Sequence, residues 1–119
     1  MLIVAHGSRR AASNQEIESL TANVRNVAGD SFAHIDCAFL ELAEPSIPAG
    51  IEALVNQGAT DILVVPYFLA AGTHVTEDIP GIVEQAQKQF PDIALRTTDY
   101  LGSNPGMAKL LLGLARNTE

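Results

Sequence analysis

The stretch MLIVAHGSRR (residues 1–10) decides the fold, because a continuous apolar run ends there in a cluster of polar side chains. Residues 1–5 are apolar throughout, which is typical of a strand buried on both faces of a sheet. Residues 62–65 (ILVV) have the same character. Strands of this kind belong to parallel sheets, whose two faces are covered by helices. The first strand therefore leads directly into His6, at the edge where such sheets bind their ligands.

Four stretches with apolar residues at helical spacing follow the strands in turn. The first helix is predicted to begin at a capping box formed by Ser13 and Glu16. It is predicted to end at Gly29, because glycine readily adopts the left-handed conformation. The second helix is predicted to begin at the N-cap residue Ser46. The other predicted elements are helices that begin near Asp78 and at Ser103, and strands within residues 33–41 and 93–97.

The resulting order is β-α-β-α-β-α-β-α within 119 residues, a length typical of one domain. Strict alternation with short connections predicts an α/β fold with right-handed crossovers. We therefore expect a single domain over residues 1–119. It would have three layers, with a four-stranded parallel sheet between helices on both faces.

The composition excludes several classes of partner. The formal net charge is −7, so broad contact with nucleic acid or with an anionic membrane is not expected. Cys37 is the single cysteine, so no disulfide forms within the chain, and a cytoplasmic location is expected. No basic segment precedes the apolar start, and the longest apolar run contains Pro66. Neither a signal peptide nor a membrane span is therefore predicted.

Histidines and glutamates follow three of the four predicted strands. His6 follows the first strand, Glu41 and Glu44 follow the second, and His74 comes at the end of a long loop after the third. Imidazole nitrogens and a carboxylate oxygen suit divalent first-row metals, and three protein ligands leave positions open for a substrate. We therefore expect a metal site where these strand ends converge.

Other interpretations of the same residues stay open at this point. A histidine at a strand end is as often a hydrogen-bonding or capping group as a ligand. The glutamates could be solvated, or could place favourable negative charge before the second helix. His34 lies at the opposite end of the second strand and is expected to face solvent. Ser8 suggests a nucleophile, but no Asp–His pair is recognisably placed to activate it, so a hydrogen-bonding role near the first helix is preferred.

Four segments resemble the small, single-domain sirohydrochlorin chelatases, the class II chelatases of cobalamin and siroheme synthesis. They are AHGSRR (5–10), FLELAEPSIPAGI (39–51), VVPYFLAAGTHVTEDIP (64–80) and YLGSNPGM (100–107). The third is the most specific, because a proline, a long apolar loop, Gly-x-His and Asp-Ile-Pro occur in fixed order. The resemblance implies a chelatase-like, flavodoxin-like fold, ATP-independent insertion of a divalent metal into sirohydrochlorin, and a homodimer.

The resemblance also implies roles for individual residues. His6 and His74 match the family's metal-binding histidines and would accept protons as well, while Glu41, ahead of Glu44, would act as ligand or base. The tetrapyrrole would lie against the apolar loop after the third strand. The implied substrate-binding residues are Ser8, Arg9, Arg10, Tyr67, Phe68, Leu69, Gly72 and Thr73.

The two arginines would receive substrate carboxylates, although simple solvation is the alternative for both. No cofactor is expected to be permanently bound. The divalent metal would be a substrate, with cobalt expected first, iron next, and nickel as a further possibility.

Two other functions are compatible with the sequence. A non-catalytic carrier of metal or tetrapyrrole would keep the histidines but show no turnover. A phosphate-handling loop at His6 is the weaker alternative. Phosphohistidine enzymes usually carry an arginine before the histidine, and here Arg9 and Arg10 follow it.

Overall fold

A parallel sheet of four strands forms the centre of the fold. The computed structural model describes residues 1–118. The elements are β1 (Leu2–Ala5), α1 (Ala11–Ala28), β2 (Asp36–Phe39), α2 (Ile47–Asn56), β3 (Asp61–Pro66), a π-helical turn (His74–Asp78), α3 (Ile79–Gln89), β4 (Ala94–Thr97), a 3-10 turn (Leu101–Ser103) and α4 (Gly106–Arg116). The strands lie in the order β2-β1-β3-β4 and every neighbouring pair is parallel, which confirms the predicted α/β class.

The main core lies between the sheet and the helices α2 and α3. Leu2 and Val4 of β1 belong to this core, together with Ile51 of α2 and Ile79 of α3, and all four are fully buried. Burial of each side chain of this size contributes about 2 kcal/mol to folding. Because β1 is central and buried along its whole length, the residue that follows it, His6, has a well-defined position.

The opposite face of the sheet is covered less completely. Ile3 points to that face, because successive side chains of a strand alternate, and Leu20 and Val24 of α1 line the same groove. Thr21 is the one buried residue of α1, and within residues 1–118 no residue of α4 is buried. The fourth helix therefore forms close to its predicted position but does not complete the layer on this face.

The start of α1 differs from the sequence-based expectation. The helix begins at Ala11, so the predicted start at a Ser13 capping box is wrong, and Ser13 lies inside the first turn. The cause is Asn14, whose side chain forms hydrogen bonds of 3.0 and 2.8 Å with the amide and the carbonyl of Ser8. These bonds hold the preceding loop against the helix and move the helix start toward β1.

The other helix boundaries are closer to expectation. The hydroxyl of Ser46 accepts a hydrogen bond of 3.2 Å from the amide of Ala49, which confirms Ser46 as the N-cap of α2. Helical structure before α3 begins at His74, as a π-helical turn, rather than near Asp78. Within residues 1–118, no helix combines the length and the apolar character needed to cross a membrane.

Candidate functional site

Two histidine side chains meet at the carboxyl edge of the sheet. His6 follows β1, and His74 opens the π-helical turn that comes after the long loop behind β3. Their ring centroids lie 4.8 Å apart, with the ring planes inclined at 60°. The phenyl ring of Phe68 lies 6.5 Å from the ring of His74 and forms an apolar flank beside it. The topology thus joins two residues that are far apart in the sequence.

The hydrogen bonds of the two rings favour the same tautomer. Nδ1 of His6 lies 2.9 Å from the carbonyl oxygen of Gly7, and Nδ1 of His74 lies 2.7 Å from Oδ2 of Asp78. Because both partners are acceptors, the proton of each neutral ring belongs on Nδ1. Each Nε2 then carries a free lone pair. Metal-binding histidines characteristically have this arrangement, in which the second nitrogen donates to a carbonyl or a carboxylate.

Glu41 lies beside the first histidine. Its Oε1 is 3.6 Å from Nε2 of His6, and the side chains are 54% and 42% exposed, so both can reach a ligand in solvent. Glu44 is exposed and forms no ion pair within the described part of the chain. The structure therefore brings the first of the two candidate glutamates to His6.

Gly7 allows the ends of β1 and β2 to approach each other. The amide of Glu41 donates a hydrogen bond of 3.0 Å to the carbonyl of His6. A Cβ atom on Gly7 would lie 1.8 Å from the carbonyl oxygen of Glu41, and the φ of Gly7 is +93°. Only glycine fits both conditions without displacement of the backbone. Gly7 thus allows the side chains of His6 and Glu41 to lie next to each other.

The three candidate ligands do not form a preassembled metal cage. Among residues 1–118, no group of three His, Cys, Asp or Glu side chains is arranged to hold an ion. Instead, the two imidazoles contact each other and the carboxylate of Glu41 stands next to His6 alone. The arrangement is an open pair of nitrogen donors with one adjacent carboxylate, and the ligand roles of these residues stay predictions.

Asp78 is a functional candidate that the sequence analysis treated only as a helix start. Its carboxylate holds Nδ1 of His74, and the two residues are four positions apart on one helical turn. A histidine and an aspartate at this spacing share one face of a helix. The four-residue spacing is visible in the sequence, and it could have indicated Asp78 as a residue that orients the proposed metal ligand His74.

The loop predicted to contact the tetrapyrrole lies beside the histidines. Tyr67 and Leu69 are 40% and 69% exposed, whereas Phe68 packs partly against the core. The loop is supported by Gly102, whose amide donates to the carbonyl of Phe68 at 2.9 Å. A Cβ atom on Gly102 would lie 1.8 Å from the carbonyl oxygen of Leu69. The loop therefore presents apolar side chains from a supported backbone.

The end of this loop is fixed by its own hydrogen bonds. The carbonyl of Gly72 accepts bonds of 3.0 and 3.1 Å from the amide and the hydroxyl of Thr76. Thr73 is exposed and immediately precedes the π-helical turn. Gly72 and Thr73 directly precede His74 in the chain, so they are near the site. Nothing in their contacts assigns either of them to a ligand.

The loop after β1 is structured by Ser8. Its hydroxyl accepts a hydrogen bond of 3.0 Å from the amide of Arg10, in agreement with a structural role. Ser8, His6 and Tyr67 line a cleft of about 300 Å³ at this edge. Arg9 and Arg10 are exposed, and in the described chain neither forms an ion pair. Their guanidinium groups are free to bind an anion.

His34 lies at the amino edge of the sheet, as predicted. It precedes β2 and lines a separate cavity of about 360 Å³ together with Met1 and Asp61. The structure therefore separates the third histidine from the other two by the length of the strands.

The family match extends over the whole described fold. The family model described as CbiX matches residues 1–118. The chain belongs to the CbiX family. Its fold also matches that of a solved CbiX protein from Marinobacter aquaeolei, with a TM-score of 0.81, 29% identity, and coverage of 97% of this chain and 92% of that one.

Several relatives of this chain are named for a chelatase activity. The chain is 38% identical to the chloroplastic sirohydrochlorin ferrochelatase of Arabidopsis thaliana over 86% of its own length and 44% of that protein. It is 37% identical to the sirohydrochlorin cobaltochelatase of Methanocaldococcus jannaschii over 71% of its length and 59% of that protein. The solved sirohydrochlorin chelatase SirB from Bacillus subtilis, in complex with cobalt, matches with a TM-score of 0.85 and 32% identity, over 98% of this chain and 49% of SirB. The chain thus spans about half the length of most of these relatives.

Proposed function

We propose that this CbiX chain is a sirohydrochlorin chelatase that inserts a divalent metal ion into the tetrapyrrole. We propose cobalt as the first choice of metal and iron as the second. Both cobaltochelatases and ferrochelatases are among the relatives, which supports a choice between these two metals. The metal is a substrate in this reaction, and no permanently bound cofactor and no ATP are required. The pathway served is cobalamin or siroheme synthesis.

The contact between His6 and His74 carries the proposal. Two imidazoles whose Nδ1 atoms are engaged can hold a divalent ion through Nε2 while its other positions keep exchangeable water. Two nitrogen donors bind less firmly than a closed set of four ligands, which suits an ion that must be passed on. The open pair therefore fits delivery of a metal better than storage.

Metal insertion also requires that the pyrrole N–H protons leave the macrocycle. We assign one of these protons to Glu41, and the position of its carboxylate, beside His6 and half exposed at the same edge, supports the assignment. The histidines provide further basic nitrogens once they have released the metal. The proposal therefore gives His6 and His74 the roles of metal ligands and proton acceptors, and Glu41 that of ligand or base.

The surroundings of the histidine pair suit a flat apolar ring with a charged rim. Tyr67, Phe68 and Leu69 provide apolar surface on one side of the site. Arg9 and Arg10 provide charge for peripheral carboxylates, which arginine binds well through paired N–H groups. The remaining proposed substrate contacts are Ser8, Gly72 and Thr73.

The organisation of the working protein is part of the same proposal. Residues 1–119 form one chelatase-like domain, two chains form a homodimer, and the protein acts in the cytosol. The homodimer is the assembly that the resemblance to the small, single-domain chelatases implies.

A metallation assay tests this function. The purified chain is mixed anaerobically with sirohydrochlorin and cobalt(II), iron(II) or nickel(II), and the absorbance change of the tetrapyrrole is followed with sirohydrochlorin in large excess over protein. A chelatase accelerates repeated turnover above the uncatalysed rate. A change that stops at one equivalent per chain would instead identify a carrier, and no effect with any metal would refute the proposal.

A further inference from the structure

Leu42 has a strained backbone beside the histidine site. It follows Glu41 in the loop after β2 and has a φ of +66°, which lies in the left-handed region. Within residues 1–118 it is the one residue other than glycine with a positive φ. A bulky side chain makes this conformation costly, whereas glycine adopts it freely. The backbone conformation at this position therefore favours glycine over leucine.

Hydrogen bonds on both sides of Leu42 hold this conformation in place. Before it, the amide of Glu41 donates to the carbonyl of His6 at 3.0 Å. Around it, the amide of Phe39 donates to the carbonyl of Pro45 at 2.8 Å, which closes the loop. Strained residues persist where the surrounding structure determines their conformation, and they are concentrated at functional sites and ligand clamps.

The side chain of Leu42 gains little from packing in its own chain. It is 51% exposed, whereas the side chain of the preceding Leu40 packs against the core. Neither backbone conformation nor internal packing therefore favours a leucine here. Leu42 joins Tyr67 and Leu69 as a large apolar side chain exposed at the carboxyl edge. Exposed apolar side chains that lie together at a site indicate a surface that binds an apolar ligand.

The strand order places Leu42 and Leu69 on opposite sides of His6. The strand that leads into His6, β1, lies between β2 and β3 in the sheet. Leu42 is in the loop after β2, and Leu69 is in the loop after β3. The ends of these two strands are two strand spacings apart, roughly 10 Å, which is similar to the width of a tetrapyrrole ring. One flat ring above the histidines can therefore reach both side chains.

From this arrangement we infer that Leu42 contacts the tetrapyrrole and, together with Leu69, holds opposite margins of the ring over His6 and His74. This inference rests on the proposed function and adds a substrate contact to it. The strained backbone of Leu42 lowers the stability of the chain, and the side chain it carries is used when the substrate is bound. Such an exchange of stability for activity is common at functional sites.

A binding titration without metal tests the contact. Sirohydrochlorin is titrated anaerobically into the protein, and the absorbance of the tetrapyrrole is followed. Leu42→Ala and Leu42→Gly both remove the apolar side chain, so each should raise the Kd about 10-fold, the effect of losing part of a leucine's burial. Leu42→Met keeps an apolar side chain of similar volume and should stay within about twofold of the wild type. The control Val27→Ala removes an exposed aliphatic side chain at the far end of α1 and should leave the Kd unchanged.

Thermal unfolding of the same variants separates the side chain from the backbone. Alanine at position 42 keeps the strain and glycine releases it, so Leu42→Gly should have a Tm roughly 4 °C above that of Leu42→Ala. Because both variants lack the side chain, their Kd values should nevertheless agree within about threefold. Weaker binding in Leu42→Gly alone would assign the effect to the loop backbone and would overturn the inference, as would unchanged binding in Leu42→Ala.

Two further outcomes keep the contact distinct from other roles. A different oligomeric state in Leu42→Ala, measured by sedimentation velocity, would place this side chain between chains and would overturn the inference. If the wild type binds sirohydrochlorin through Leu42 but never metallates it, the proposed enzymatic function fails and the contact stands. If the wild type metallates sirohydrochlorin and Leu42→Ala binds it as tightly, the contact fails and the function stands.

Discussion

The two edges of the sheet differ in whether their charged side chains are paired within the chain. At the amino edge, Asp36 pairs with Arg25 at 3.0 Å and Asp61 pairs with Arg96 at 3.2 Å, so these charges are satisfied within the chain. These pairs are exposed, and such pairs contribute little to stability, but they leave few groups free for a ligand. The amino edge is therefore not a candidate ligand site, even though it includes His34.

At the carboxyl edge, by contrast, several ionisable side chains keep atoms that can bind a ligand. The two imidazoles contact each other, each with Nδ1 engaged and Nε2 free, and within residues 1–118 Arg9 and Arg10 have no acidic partner. Groups without partners in the folded chain retain their capacity to bind. The difference between the edges shows what makes a histidine at a sheet edge a functional candidate. It needs suitable neighbouring residues and a ring nitrogen that is not already hydrogen-bonded.

The largest expected effect comes from the histidines themselves. His6→Ala and His74→Ala each remove one of two nitrogen donors, so the initial rate of cobalt insertion should fall at least about 100-fold. His34→Ala, at the other edge, should leave the rate within about twofold. Steady-state metallation assays on the three variants provide the comparison. Similar losses at all three positions would contradict the assignment of the site to the carboxyl edge.

Gly7→Ala should disturb the carboxyl edge through the backbone. A Cβ atom there meets the carbonyl of Glu41, so we expect the free energy of unfolding to fall by about 3 kcal/mol. Gly58→Ala is the matched control, because Gly58 has a φ of +94° with no atom within 4 Å of the added carbon. The free energy of unfolding of that control should fall by about 1 kcal/mol, because of backbone strain alone. Urea denaturation measures both, and equal losses would show that the close approach is unimportant.

Asp78→Asn tests whether the orientation of His74 matters. The substitution removes the charged acceptor at Nδ1, so the metallation rate should fall about 10- to 100-fold, the usual effect of losing the carboxylate behind a metal-binding histidine. The control is Glu77→Gln, which removes a neighbouring charge without touching the ring. The cobalt affinity should fall together with the rate for Asp78→Asn only. An unchanged affinity would mean that this residue has a structural role alone.

The smallest effect is expected at the arginines. Arg9→Ala with Arg10→Ala should raise the KM for sirohydrochlorin about threefold to tenfold and leave kcat nearly unchanged, because exposed charges contribute modestly to binding. Arg96→Ala at the amino edge is the control and should leave KM unchanged. The difference should shrink in high salt. A KM that is insensitive to both substitutions would leave these arginines as solvated residues.

The fold was predictable because its signals are local. The apolar runs of β1 and β3 and the cap at Ser46 depend on neighbouring residues, and the structure confirms them. The start of α1 was not predictable in the same way, because the hydrogen bonds between Asn14 and Ser8 override the favourable capping box at Ser13.

The candidate site was predictable in part. Parallel topology brings the ends of β1, β2 and β3 to one edge, which is enough to bring both Glu41 and His74 next to His6. Two details depend on atomic positions that no sequence pattern specifies, namely the contact between the two rings and the role of Gly7 in admitting Glu41. The bond from His74 to Asp78 was signalled by their four-residue spacing, but that signal was not used.

Cobalt(II) spectroscopy tests the central claim, that His6 and His74 together bind the metal to be inserted. Visible ligand-field bands are recorded while cobalt(II) is titrated anaerobically into the wild type, His6→Ala, His74→Ala and His34→Ala. We predict identical bands for the wild type and His34→Ala, and weakened or shifted bands for each carboxyl-edge variant. Bands that persist unchanged in both His6→Ala and His74→Ala, or that disappear in His34→Ala, would contradict the account.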